Sequence, residues 1–279
     1  MAVWGPDALR DAAAPAGRDA IPDAPRGPPQ RWYDILLVPL LAFVATAVVA
    51  VLAVIAWTIH LELQARGSGD PRDWLQSLAS DPFFVHASGV AFYLLAMAAL
   101  TLPLAMRGYS LGTAHFPRFG QRAVLLAFVA GVALAFAVVP LLEYLPAETV
   151  REIETREQLL MPRNIPEVLL FTLSVALLAP LAEEIYFRGI LLPVLARHLR
   201  FGAAAVIVAA LFSLMHGHIF MLVGIGGWAL SGVIFVIGVA FAYAARWSGA
   251  LYAPVAMHAA YNATLIVPGI IAILVGSQT

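Results

Sequence analysis

Apolar runs of about 18 residues or more recur along this chain, and they constrain its fold more than any other feature. Runs of that length match the hydrocarbon thickness of a bilayer when wound as helices. Composition agrees, with 62% hydrophobic and 12% charged positions, against roughly 45–50% and about 25% in a soluble domain. The expectation is an all-α polytopic membrane protein, a bundle of about seven to eight transmembrane helices. No cysteine is present, which excludes disulfides and thiolate metal sites. The net charge of −1 gives no sign of a nucleic-acid partner.

Taken in order, residues 1–34 are rich in Ala, Pro, Asp and Arg and read as a disordered cytoplasmic tail. Residues 35–145 form an N-terminal transmembrane unit, with spans expected at about Ile35–Ile59, Val85–Met106 and Ala123–Leu142. Residues 146–279 form a second unit. It opens on an amphipathic interfacial helix over 147–161, where Glu152 and Arg156 are spaced as a solvated pair. A fourth apolar segment, Ile165 to about Leu195, is too long for one simple span, and Pro180 and Pro193 offer kinks. Further spans are expected at about Gly202–His216, Phe220–Ala245 and Ala250–Val275, and an eighth arises if Pro268-Gly269 breaks the last run.

All sixteen basic residues are arginine. With the N-terminus inside, Arg10, Arg18, Arg26, Arg31, Arg107, Arg118, Arg122, Arg188, Arg197, Arg200 and Arg246 fall on the inner side. Only Arg66, Arg72, Arg151, Arg156 and Arg163 fall outside. The positive-inside rule therefore favours a multi-pass protein of the cell inner membrane with a cytoplasmic N-terminus.

A few polar residues interrupt the spans. Glu183 and Glu184 are adjacent, so a helix turns them about 100° apart. Glu184 and Arg188 are four apart and stack on one face as an ion pair, leaving Glu183 without a built-in partner. Ionisable groups at that depth are costly and mark a functional site by default. His216 closes the fifth span just before Gly217, with His218 beyond it. His258 and Asn262 share one face of the last span. They are placed either to bond another helix as structural glue or to present two donors to one point.

Three motifs stand in order: Glu183-Glu184-x-x-x-Arg188, Phe212-x-x-x-His216 and His258-x-x-x-Asn262. Together they resemble the CAAX prenyl protease 2 and bacteriocin-processing (CPBP) family of intramembrane proteases, and Gly189 after the arginine also fits. The resemblance covers about Ile165–Leu265. It implies an endopeptidase acting on a peptide or membrane-protein substrate, with Glu183, Glu184, His216, His258 and Asn262 as catalytic residues. Glu183 would be the general base on a water, assisted by His216, with His258 and Asn262 holding the oxyanion. Glu184 and Arg188 would orient Glu183.

The family is often described as metalloproteases, so a zinc version stands beside the metal-free one, which is favoured. In it Glu183, His216 and His258 would be the ligands and Glu184 the base. Two other classes remain open from the residues alone. One is a non-catalytic bacteriocin-immunity or scaffold protein, and the other is a proton-coupled transporter, against which the lack of an internal repeat counts. Prenylated CAAX proteins are substrates of eukaryotic relatives, but the residues do not identify a substrate.

Overall fold

The computed structural model describes residues 30–64, 81–116, 120–222 and 224–276. Its elements are α1 (Asp34–Gln64), α2 (Pro82–Ala105), α3 (Leu111–His115), α4 (Gln121–Leu142), α5 (Ala147–Leu160), α6 (Ile165–Ala196), α7 (Phe201–Met215), α8 (His218–Met221), α9 (Ile225–Ser248) and α10 (Tyr252–Gly276). Among the described residues there is no strand, and seven helical segments are long and apolar enough to cross a membrane. The protein is an all-α polytopic bundle.

Local chemistry sets where these helices begin. Asp81 accepts a hydrogen bond from the Phe84 N–H ahead of α2, with Pro82 in the first turn. Asn164 does the same for Glu167 N–H ahead of α6. The Glu167 carboxylate reaches back to the Arg163 N–H at 2.7 Å and the Asn164 side-chain amide at 2.6 Å. Each cap satisfies N–H groups that a helix start otherwise leaves without partners.

Packing follows small residues. Gly131 of α4 lies so close to α10 that a Cβ there would sit 2.1 Å from the Met257 carbonyl oxygen. Gly238 of α9 admits Ala209 and Phe212 of α7 in the same way. Without a hydrophobic force between helices in lipid, such close approach is the main source of helix–helix adhesion. Ile185, Leu192, Val208, Phe241 and Leu251 are fully enclosed at the centre, while Leu36, Phe136 and Trp228 lie on the outer faces, exposed as lipid-facing side chains would be.

Four expectations change. First, the tail expected over 1–34 falls mostly outside the described residues, but its last part is packed. Gln30 and Asp34 are buried, Arg197 donates to the Gln30 carbonyl at 3.0 Å, and Arg107 grips Asp34 through two hydrogen bonds of 2.5 and 2.6 Å. Tyr186 fastens the same segment by donating to the Ile35 carbonyl. Second, helical structure runs on through Pro180 and Pro193 as one long segment, with a wide π turn before each proline (Leu173–Leu178 and Ile185–Leu191). Third, α9 starts at Ile225 rather than near Phe220, since Leu222 is extended and Gly224 takes a φ of 72°. Fourth, among the described residues the last run forms one span and not two, because α10 runs unbroken with Pro268 inside it. The interfacial helix is present as α5, whereas the side chains of Arg156 and of the first loop's Arg66 and Arg72 lie outside the described residues.

Candidate active site

The two π turns shape the site. At the end of the first, the Ala179 N–H bonds to Ser174 O, five residues back. The next carbonyl in that register, Val175 O, would accept from residue 180, which is a proline with no N–H. Asn262 of α10 fills the gap by donating its side-chain amide to Val175 O at 2.9 Å. A wide turn, a proline and an asparagine 87 residues away thus form one device. Buried carbonyls need such partners, and π turns of this kind frequently mark functional sites.

Beyond that turn the helix carries Glu183 and Glu184 into different surroundings. Glu184 is wholly buried, and its Oε1 accepts from Arg188 Nη1 at 2.7 Å and from His258 Nδ1 at 3.0 Å. Arg188 is equally buried; it donates through Nη2 to Gly238 O at 2.8 Å and lies 4.5 Å over the Phe212 ring and 5.3 Å over Phe241. This charge is paired, hydrogen-bonded and enclosed by aromatic faces, the conditions a charge needs to persist in the interior. Gly189 follows without a side chain because the His115 ring lies where a Cβ would go, 2.9 Å away. Burial pushes the His115 imidazole, on the short α3 helix, down to about 4, so it is neutral at pH 7.

Glu183 keeps 21% of its side chain exposed. Its Oε1 accepts from the Tyr93 hydroxyl at 3.1 Å, and its Oε2 lies 4.0 Å from His258 Nε2. His258 therefore bridges the pair: Nδ1–H is given to Glu184, and Nε2 turns toward Glu183. Its ring stacks on Phe241 with centroids 4.7 Å apart.

His216 closes α7, and Gly217 takes a φ of 74° to end the helix there. That left-handed turn is one glycine adopts without strain. His216 Nδ1 is 2.8 Å from Phe212 O, so it donates there and leaves Nε2 free. The Phe212 ring stands between the two imidazoles, 4.6 Å from His216 and 5.8 Å from His258. His218 is a further ring away, 6.4 Å from His216.

Of the residues singled out in the sequence, Glu183, Glu184, Arg188 and His258 are in direct or near contact, His216 joins them through Phe212, and Asn262 joins through the α6 backbone. Among the described residues no group of three His, Asp or Glu side chains is placed to hold a metal ion. Tyr93 and Phe241 are the residues sequence reasoning missed. Tyr93 carries a hydroxyl in the middle of an apolar span, which asks for a partner and was the available signal. The N-terminal spans therefore supply part of the site.

No curated protein and no solved structure matches the chain. A family model does: residues 165–264 match that of the Rce1-like type II CAAX prenyl endopeptidases. The matched stretch holds all three motifs and leaves Tyr93 outside it. The match covers less than half of the chain, and what it gives is a similarity of this stretch to that family, consistent with the resemblance carried by the three motifs.

Proposed function

We propose that the protein is an intramembrane endopeptidase that hydrolyses a peptide bond near the cytoplasmic face, with Glu183 as general base. The observation that carries this reading is the division of labour between adjacent carboxylates. Glu184 is wholly buried and ion-paired, its Oε1 shared by Arg188 and His258, while Glu183 is partly open and keeps Oε2 within 4.0 Å of a ring nitrogen. A general base needs reach and an uncommitted lone pair.

In the reaction a water gives its proton to Glu183 Oε2 and its oxygen adds to the scissile carbonyl. His216, with Nδ1 committed to Phe212 O, offers Nε2 to orient that water. The oxyanion that forms is held by His258 Nε2–H, when that nitrogen is protonated, and by the second hydrogen of the Asn262 amide, whose first is given to Val175 O. Collapse returns the proton from Glu183 to the departing amine. With the N-terminus inside, the Tyr252 end of α10 faces the cytoplasm and His258 lies roughly 9 Å in by helical rise. By the same rise Glu183 lies roughly 20 Å from the inner end of α6, so the site is within the membrane and not at its surface.

A scaffold or immunity protein needs the buried Glu184–Arg188–His258 knot but has no use for a half-open Glu183 held by Tyr93. The test is a comparison of protein N- and C-termini in cells carrying the wild type or Glu183→Ala. New termini present with the wild type and absent with the variant are expected; identical sets would refute the protease reading. The zinc version is tested on purified protein, using a peptide that spans a cleavage so found. Cleavage is expected to continue at the same rate after exhaustive chelation, and loss restored by added Zn²⁺ would reverse that choice.

A further inference from the structure

We propose that Tyr93 is a positioning residue for the base, an inference that rests on the protease reading and adds to it a contribution from the N-terminal spans. Three observations support it. The hydroxyl of Tyr93 donates to Glu183 Oε1 at 3.1 Å across 90 residues of sequence. The other oxygen of the same carboxylate, Oε2, is the one that lies 4.0 Å from His258 Nε2. Tyr93 is partly buried and packs against the core of the bundle.

A glutamate side chain at the edge of a helix has three rotatable bonds and, when partly open, several rotamers of similar energy. One hydrogen bond to Oε1 from a fixed ring selects among them. It also distinguishes the two oxygens chemically. Oε1 shares a lone pair with the phenol and is the weaker proton acceptor, while Oε2 is left to take the proton of the water. The carboxylate is then held at Oε1 by α2 through Tyr93, while Oε2 stays uncommitted, 4.0 Å from His258 Nε2 of α10. A rigid support of this kind is what a catalytic constellation needs to stay within about 0.5 Å of its working geometry.

The role separates from simple packing. Tyr93→Phe keeps the ring and its contacts and removes only the donor. It is expected to lower kcat about tenfold, the worth of one hydrogen bond to a charged group, with KM unchanged because the hydroxyl does not meet substrate. The solvent deuterium isotope effect on kcat is expected to rise, since proton transfer to a less well placed oxygen becomes slower than the other steps. Replacing Tyr93 by 3-fluorotyrosine, which keeps shape and donor, is expected to restore both kcat and the isotope effect.

The experiment measures wild type, Glu183→Gln, Tyr93→Phe and the fluorotyrosine protein on one peptide taken from the termini comparison, beside their thermal unfolding. Glu183→Gln inactive, with Tyr93→Phe slowed and its isotope effect raised, supports the assignment. Glu183→Gln inactive with Tyr93→Phe at full kcat overturns the role of Tyr93 and leaves the protease reading intact. Glu183→Gln as active as wild type overturns both. A kcat loss that tracks lost thermal stability, with no change in isotope effect, makes Tyr93 a packing residue and overturns the proposal as well.

Discussion

Replacing Glu184 by alanine is expected to cost the folded protein, whereas the same change at Glu183 is expected to cost only the reaction. The two residues are neighbours of identical chemistry, so the contrast isolates environment. Removing Glu184 leaves Arg188 fully buried and without its anion. Breaking a buried pair from one side destabilises by about 3–5 kcal/mol. The His258 ring also loses the acceptor for its Nδ1–H. Arg188 cannot escape by moving to water, because its guanidinium is closed in by Phe212, Phe241 and the Gly238 carbonyl.

At Glu183 the loss is one hydrogen bond from Tyr93 on a partly open side chain, about 1 kcal/mol. Thermal unfolding in detergent, with size-exclusion profiles, reads the difference directly. The double variant Glu184→Ala with Arg188→Met is expected to recover much of the stability that Glu184→Ala alone loses, because an apolar pair needs no charge compensation. It is not expected to recover cleavage, since His258 remains unsupported. Equal stability losses at positions 183 and 184 would remove the distinction on which the proposed function stands.

Much of this was legible in the sequence, and the reason is physical. Bilayer length and apolar composition fix helices as the spanning elements, so the seven spans follow from counting. The Glu184–Arg188 pair follows from a four-residue step on a helix, and it also identifies Glu183 as the carboxylate left over. Helical arithmetic could not reach contacts between helices. Tyr93 meets Glu183 because α2 and α6 pack together, and no periodicity within either helix records that.

The role of Asn262 toward Val175 was hidden for another reason. Pro180 signals a break in the regular ladder, and the expected response is a kink. The structure has a π turn there, which shifts the hydrogen-bond register and moves the unpaired carbonyl from the α-helical position to Val175. Only then does Asn262, four residues after His258, find its acceptor. The sequence alternatives for this residue, helix glue and oxyanion donor, are in this light compatible, because the amide has two hydrogens and the bond to Val175 O uses one, leaving the other for the proposed role.

Gly131→Ala is expected to lower activity about a hundredfold from a position whose side chain meets neither substrate nor any catalytic group. A Cβ at residue 131 would lie 2.1 Å from Met257 O, 2.9 Å from Met257 C and 3.0 Å from Ala260 Cβ. The first contact is with backbone, so no rotamer change relieves it, and α4 and α10 have to separate by roughly 1 Å to restore ordinary packing distances. Met257 directly precedes His258. Displacing this turn of α10 moves the ring that spans Glu184 and Glu183, whose contacts of 3.0 and 4.0 Å leave little tolerance. A misplacement of about 1 Å in a catalytic constellation costs on the order of 10²-fold, and overpacking adds a stability loss of about 1–3 kcal/mol. The control is Gly232→Ala on α9, where the added methyl meets nothing within 4 Å. There the same substitution is expected to be neutral or stabilising by up to about 1 kcal/mol, through helix propensity and a less flexible unfolded chain. Cleavage rate and thermal midpoint measured on the two variants decide the matter, and a Gly131→Ala protein indistinguishable from Gly232→Ala would show that the α4–α10 contact does not set the position of His258.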